Sequence, residues 1–377
     1  MKIAFVCPYY DPAIDGPKQA IKEIAQYLVK KDHEVHVYTS DWDKYKRIKE
    51  KEEVIDNVRV HRCFHILRIA NFATVWPSVF FKILREDFDI VHTHVSGHLH
   101  VFLASLAAKI KGAKLVHTTH CPWTDAHRGF IGNLLVKLSY HTINRLSFYW
   151  ANKIIAITPW EIQFIEKNGG KGKIDVIPNG VNDLFFTKVK KNNFKKDNGI
   201  KNKLVLFFGR LNVTKGVDNL MKVANEVVKE RKDIDFVFLG PDEGMKNTLI
   251  KMNEDEKRIK ILEPMQEREK IREMYQSADV YALPSFREGL PLTLFEAFAN
   301  ELPVVASPVN GIPYEMNESN GFLVEYGDLI NLKKKILKIL DDKKLALKFS
   351  KNNKKKAEKY RWEDIAKKTE KLYQNLI

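Results

Sequence analysis

Glu288 and Glu296 stand eight residues apart in Pro284-Ser285-Phe286-Arg287-Glu288-Gly289-Leu290-Pro291-Leu292-Thr293-Leu294-Phe295-Glu296-Ala297, a stretch that reads as a buried strand end, a short loop and then a helix. Pro291 suits the first turn of that helix, so the backbone N–H groups near Gly289, Leu290 and Leu292 favour an anion, phosphate first. Glu296 falls about a turn and a half into the helix. There a carboxylate accepts two hydroxyls of a ribose, while Glu288 in the loop reaches the hydroxyls of a second sugar. The pattern asks for a sugar on each side of a diphosphate. Arg210 and Lys215 follow an earlier strand, Leu204–Phe208. Alone they would read as surface charge. Together with the two glutamates they suit a diphosphate, and the larger negative charge that develops on it as a sugar departs. Gly209-Arg210-Leu211-Asn212-Val213-Thr214-Lys215-Gly216 lacks the Lys-Ser/Thr pair of a P-loop, and no Gly-x-Gly-x-x-Gly fingerprint occurs, which argues against an ordinary NAD enzyme.

The elements that must position these residues alternate along the chain. In the first half, apolar runs predict strands near Ile3–Cys7, Val35–Thr39, Val58–Cys63, Ile90–Thr93, Lys114–Thr118, Ile154–Ile157 and Ile174–Ile177. Helical patterns lie between them, including Gln19–Lys30, Leu99–Lys111, Leu134–Trp150 and Trp160–Asn168. The second half repeats the theme with strands at Leu204–Phe208, Phe236–Leu239, Ile259–Leu262, Val280–Leu283, Val304–Ala306 and Phe322–Val324. Continuous apolar strands in βαβ alternation predict parallel sheets covered on both faces, hence α/β with two Rossmann-like lobes. The polar, lysine-rich stretch Asn179–Asn202, broken by Asn198-Gly199, reads as the linker between them.

Taken in order, the Glu-x7-Glu element, Gly209-Arg210-Leu211 with Lys215-Gly216, Pro178-Asn179-Gly180-Val181, and Thr118-Thr119-His120 at a strand end make the chain resemble the retaining glycosyltransferases of family 4 over nearly its whole length. The resemblance implies a GT-B fold: two Rossmann-like lobes with parallel sheets facing across a cleft, and a C-terminal helix crossing back to the first lobe. The expected divisions are 1–180, the N-terminal acceptor-side domain; 181–202, the linker; 203–360, the C-terminal nucleotide-sugar-binding domain; and 361–377, the returning helix. A nucleotide-diphosphate sugar is the implied donor and a glycan, glycolipid or lipid-linked molecule the acceptor. No obligatory cofactor or metal is expected, and Arg210 and Lys215 supply the positive charge. The implied catalytic residues are His120, Arg210, Lys215 and Glu288. The implied donor contacts are Gly16, Arg210, Lys215, Glu288, Gly289, Leu290, Pro291, Leu292 and Glu296. For His120 the plain alternative is a hydrogen-bonded histidine capping a strand. The family is thought to dispense with a carboxylate nucleophile, and Asp125 is the nearest acid to His120 in sequence.

The chain departs from the family pattern at three places. Gly16-Pro17 replaces a Gly-Gly pair, and proline lacks the second N–H. Asn310 stands where a glycine is usual before Gly311-Ile312-Pro313, and asparagine tolerates a left-handed backbone. Asn300 takes the place of a glycine after the Glu-bearing helix. Two rival readings stay open: a GT-B nucleotide-sugar epimerase, and a non-catalytic nucleotide-sugar-binding or membrane-docking protein.

Composition bounds the rest. At 377 residues the chain suits two lobes, with ordinary globular composition. Three cysteines, Cys7, Cys63 and Cys121, in strand-like runs imply a reducing cytosol without a disulfide framework. The N-terminal apolar strand is too short for a signal segment and no later run suits a spanning helix, so the expectation is a cytoplasmic protein, peripheral at most. Of the net charge of +15, residues 331–377 contribute 16 Lys and Arg against 6 Asp and Glu, interleaved with apolar positions as on solvated amphipathic helices. No nucleic-acid module accompanies the charge, so no nucleic-acid partner is expected. His92-Thr93-His94 and His98-Leu99-His100 invite a zinc reading, but third and fourth ligands are not evident. Asp41-Trp42-Asp43, Asp87-Phe88-Asp89 and Asp233-Ile234-Asp235 each mimic an Asp-x-Asp metal motif, and the latter two read as turn residues before strands. Phe64, Phe72, Trp76, Phe80 and Phe81 among Arg62, Arg68, Lys82 and Arg85 read either as a helix packed on the sheet or as a flank for peripheral membrane contact.

Overall fold

A computed structural model describes residues 1–13, 16–43, 45–69, 73–121, 123, 134 and 137–377. The chain divides into two compact units, Met1–Asn179 with Trp362–Ile377, and Gly180–Arg361.

The first unit is built on an eight-stranded sheet. Its strands are β1 (Lys2–Val6), β2 (Glu34–Ser40), β3 (Glu52–Ile55), β4 (Val58–Cys63), β7 (Ile90–His94), β8 (Lys114–Thr118), β9 (Lys153–Ala156) and β10 (Ile174–Val176), with a separate hairpin of β5 (Leu67–Ile69) and β6 (Ala73–Val75). The order is β10-β9-β8-β7-β1-β2-β4-β3, parallel throughout except for β3 against β4. β1 and β7 are buried almost end to end, as parallel strands covered on both faces must be. β3 and the β5–β6 hairpin were not among the expected strands. Glu52-Glu53-Val54-Ile55 is a partly exposed edge strand whose charges blunt pairing with other chains, so it lacks the apolar run that marks its neighbours.

The helix Trp362–Gln374 belongs to this unit and packs against the helix Gly16–Val29. Glu370 accepts from the Tyr27 hydroxyl at 3.1 Å and pairs with His33 at 2.8 Å. Tyr373, fully buried, bonds His92 Nδ1 at 2.6 Å.

The second unit carries a six-stranded, all-parallel sheet of β11 (Lys203–Phe208), β12 (Ile234–Leu239), β13 (Ile259–Leu262), β14 (Val280–Leu283), β15 (Val304–Ala306) and β16 (Gly321–Leu323). Its order is β13-β12-β11-β14-β15-β16, so the winding reverses between β11 and β14. Residues 181–202 are not a free tether. Phe185, Phe194 and Ile200 are buried, Asn192 bonds the Glu273 carbonyl at 2.8 Å and Val189 N–H donates to Gln276 at 3.0 Å. Val181 N–H donates to the Tyr360 carbonyl at 2.7 Å, joining the two ends of this unit. The lysine-rich helices Leu329–Asp341 and Lys343–Ala357 bury Leu332, Ile336, Ile339, Leu340 and Phe349 and leave most of their charge in solvent, as amphipathic spacing predicts.

Candidate functional site

In an open parallel sheet, ligands settle beyond the strand carboxyl ends where the winding reverses. In the second unit that point lies between β11 and β14, and the four charged residues singled out in sequence follow these two strands. β11 ends in Gly209. Gly240, at φ 150°, passes so close that an added Cβ would stand 1.9 Å from the Gly209 carbonyl oxygen. Asn212 then caps a short turn, Val213–Lys215, by accepting from Thr214 N–H at 2.8 Å. Gly216 closes the turn at φ 64°, where a Cβ would meet the Pro284 carbonyl oxygen at 1.9 Å. Only glycine fits there, and the approach brings Lys215 against the loop after β14.

Lys215 Nζ donates to both oxygens of Glu288, each at 2.7 Å, and Ser285 Oγ donates to one of them at 2.7 Å. The Lys215 and Glu288 side chains are only 13% and 4% exposed. Burial pushes the Lys215 ammonium below the usual lysine range, the Glu288 carboxylate opposes this, and the nearby Arg210 adds to it. Arg210, nearly half exposed, donates through Nη1 to the Glu243 carboxylate at 2.9 and 3.1 Å. Glu243 also accepts from Asn212 Nδ2 at 3.1 Å. Both candidate cations therefore have protein carboxylates as partners. An incoming diphosphate would compete with Glu243 and Glu288 for them.

Pro291 stands just before the helix Leu292–Ala299 with ψ 129°, at its N-cap position and not inside the first turn. The extended cap still leaves the first helical N–H groups without intrahelical carbonyls. Glu296, half-buried on that helix, accepts from the Tyr275 hydroxyl at 2.9 Å. Tyr275 is wholly buried, and burial holds its hydroxyl in the protonated, donating form. Asn310 takes φ 48° as expected of asparagine, and its side-chain amide donates to the Glu288 carbonyl oxygen, while Gly311 N–H donates to the Gly289 carbonyl at 3.2 Å. At the far end of the helix the left-handed residue is Glu301, at φ 62°, and not Asn300. Asn300 instead folds its amide back onto the Glu296 carbonyl at 2.9 Å.

In the first unit the reversal lies between β1 and β7. Gly16 opens the first helix, where an added Cβ would meet nothing within 4 Å. His120 follows β8 and hydrogen-bonds His94, the last residue of β7, between Nε2 and Nδ1 at 3.0 Å. His92 bonds Tyr373 and Thr118, and His117 bonds Thr93 and Ser96. Burial holds His92, His94 and His117 well below the usual histidine range, His117 at about 3. These rings are packed as neutral groups. Among the described residues no group of three or more His, Cys, Asp or Glu is arranged to hold a metal ion.

Sequence reasoning missed Glu161, which is completely buried. It accepts from Thr119 Oγ1 at 2.6 Å and from the N–H groups of Cys121 at 2.6 Å and Ile157 at 2.8 Å. The available signal was Thr158-Pro159-Trp160-Glu161, the spacing of a helix-capping box. Thr158 does cap by accepting from Trp160 N–H, but Glu161 turns inward instead. Asp125 and Phe72 lie outside the described residues. Of the basic aromatic stretch, Trp76 is buried against His100 and Arg62 is buried and paired with Glu53, so these two are core. Phe64, Ile66, Leu67 and Phe81 remain more than half exposed, and Arg47 stacks over Phe64 at 4.2 Å. No helix of the described residues is long and apolar enough to cross a membrane.

Comparison with known proteins adds to this geometry. Residues 14–183 match the family model of Glycosyltransferase Family 4, and residues 189–356 that of Glycosyl transferases group 1. The chain is 30% identical over 285 residues to the UDP-Gal:alpha-D-GlcNAc-diphosphoundecaprenol alpha-1,3-galactosyltransferase of Escherichia coli, covering 73% of this chain and 72% of that one. It is 26% identical over 400 residues to the phosphatidylinositol N-acetylglucosaminyltransferase GPI3 subunit of Saccharomyces cerevisiae, covering 99% and 83%. Among solved structures, sucrose-phosphate synthase from Thermosynechococcus elongatus superposes with a TM-score of 0.80 at 20% identity, covering 100% of this chain and 98% of that one. Anabaena Alr3699/HepE in complex with UDP and glucose does so with a TM-score of 0.80 at 17% identity, covering 100% of both chains. At these identities the structural likeness speaks for the fold alone.

Proposed function

We propose a donor, an acceptor class and a stereochemical course for this protein, which belongs to the glycosyl transferases group 1, has the GT-B fold and is a glycosyltransferase. In this reading it moves a hexose from a UDP-linked sugar to a lipid-linked glycan or glycolipid, with retention of anomeric configuration. The observation that carries the reading is that Arg210, Lys215, Glu288 and Glu296 all follow β11 and β14, the strands flanking the reversal point of the second unit's sheet, with Lys215 bound to Glu288. Arg210 and Lys215 take the diphosphate and its developing charge in place of a metal. Glu296 holds the ribose hydroxyls, with Tyr275 fixing one of its oxygens. Glu288, steadied by Lys215 and Ser285, meets the hydroxyls of the transferred sugar. Gly289, Leu290, Pro291 and Leu292 carry the backbone that approaches the phosphates, and Gly16 is a further donor contact in this reading. His120 contacts the transferred sugar, and the departing phosphate draws the acceptor proton.

Uridine and a lipid-linked acceptor are favoured because the galactosyltransferase relative is named for UDP-Gal and a diphosphoundecaprenol sugar, and the yeast relative for phosphatidylinositol. Such an acceptor is met at a bilayer surface. The exposed Phe64, Ile66, Leu67 and Phe81, with Arg47 and Arg68 beside them, suit peripheral contact from the cytoplasmic side.

The test is thermal stability across UDP, GDP, ADP and their common sugar conjugates, in wild type and Glu296→Ala. A ligand at 100 times its dissociation constant stabilises by about 2.7 kcal/mol. A uridine-specific shift that Glu296→Ala loses is the expected result. No shift from any nucleotide at millimolar concentration overturns the donor assignment.

A further inference from the structure

Three residues with side chains that disfavour it take the left-handed backbone conformation at the strand ends of the first unit. His120 and Cys121 do so in succession after β8, at φ 58° and 53°, and Val95 does so after β7 at φ 69°. Such conformations persist only where the surroundings over-determine them, and they gather at sites where a side chain must be aimed. Around His120 and Cys121 the surroundings centre on one group. Glu161 is fully buried, and two of its three donors, Thr119 Oγ1 and Cys121 N–H, flank His120. The third, Ile157 N–H, ties the same carboxylate to the chain just after β9. The His120 ring is held separately, by His94 Nδ1 at 3.0 Å. A buried carboxylate is costly unless fully hydrogen-bonded, and a neutral amide here would turn an NH2 group toward at least one of these donors.

We propose that Glu161 is a positioning residue: it locks the turn through Thr119 and the left-handed His120 and Cys121 and so aims the His120 ring, with His94 restraining the ring's rotation. This rests on the reading that His120 works at the reacting centre.

The test compares Glu161→Gln, His120→Ala and the double variant. The assay is release of UDP from whichever of UDP-glucose, UDP-galactose and UDP-N-acetylglucosamine the wild type turns over fastest, with the His120 imidazole resonances followed by NMR through a pH titration. Misaiming a reacting group costs up to about a hundredfold in rate. Glu161→Gln is expected to lower kcat by about tenfold or more, leave the donor KM nearly unchanged, and cause no further loss in the His120→Ala background. It is also expected to shift the His120 resonances or titration. Unchanged kcat and unchanged His120 resonances in Glu161→Gln overturn the proposal, and so does a loss that multiplies with that of His120→Ala. If His120→Ala keeps full kcat, the catalytic reading of His120 falls, and the NMR comparison decides alone whether Glu161 aims it. Should Glu161→Gln fail to fold, Thr119→Val removes one donor while keeping the carboxylate and carries the same comparison.

Discussion

Arg210 and Lys215 carry the same charge in different surroundings, and their substitutions should separate accordingly. Arg210 is partly exposed and its pairing with Glu243 is screened, so Arg210→Ala should change stability by less than about 1 kcal/mol. Its loss as a charged donor to diphosphate should weaken UDP binding by about tenfold or more, measured by titration calorimetry. Glu288→Ala should do the reverse of a surface change. It strands the enclosed Lys215 ammonium and should cost about 3 kcal/mol in urea unfolding without any nucleotide, much of it recovered in Lys215→Met/Glu288→Ala. The residue types of this site were legible in the sequence because strand ends and loop chemistry mark them. Their pairings were not, since Lys215 and Glu288 lie 73 residues apart and Arg210 and Glu243 lie 33 apart, and no local pattern encodes such contacts. Glu161 escaped for a related reason: its capping-box spacing suggested a local partner, while two of its donors come from 40 or more residues away.

Elements with continuous apolar runs, such as β1, β11 and β14, were readable because burial on both faces leaves a one-dimensional signature. β3 was not, because its charged edge positions break that signature, nor was the β5–β6 hairpin, whose strands of three residues are too short to show it. The end of the helix Leu292–Ala299 shows a finer limit. Leu302 N–H reaches the Ala297 carbonyl and Glu301 N–H the Phe298 carbonyl, a Schellman closure in which Glu301 takes the left-handed place that glycine usually holds. Its side chain pairs with Lys354 at 2.9 Å and Lys188 at 3.2 Å. Glu301→Ala loses those pairs and keeps the strained backbone, whereas Glu301→Gly loses the pairs and relieves it. Glu301→Gly should therefore be the more stable of the two by about 1 kcal/mol in thermal or urea unfolding. Equal stability would mean that the turn carries no strain.

At the scale of the whole molecule, all 12 histidines lie in the first unit and none in residues 180–361. Burial lowers the folded-state values of His92, His94, His100 and His117 below 6.5, so protons bind the unfolded chain more readily. The stability this neutral packing allows is present above about pH 6.5 and is lost as pH falls, for His117 down to about pH 3. The loss approaches about 1.4 kcal/mol per pH unit for each such histidine. Hydrogen exchange between pH 6.5 and 5 should therefore show β7 and β8 amides losing protection while those of β11 and β12 hold theirs, after correction for intrinsic exchange rates. Parallel losses in both sheets would refute it. The helix Trp362–Gln374, whose Tyr373 closes over His92, gives the molecule one more property. Residues 180–361 form a contiguous insertion within a discontinuous first unit. During synthesis the inserted unit has its whole sequence available before the first unit does. The histidine-bearing sheet, although translated earlier, must wait for a helix made after the whole inserted unit to cover it, which leaves its flank exposed to chaperones while residues 180–361 are synthesised.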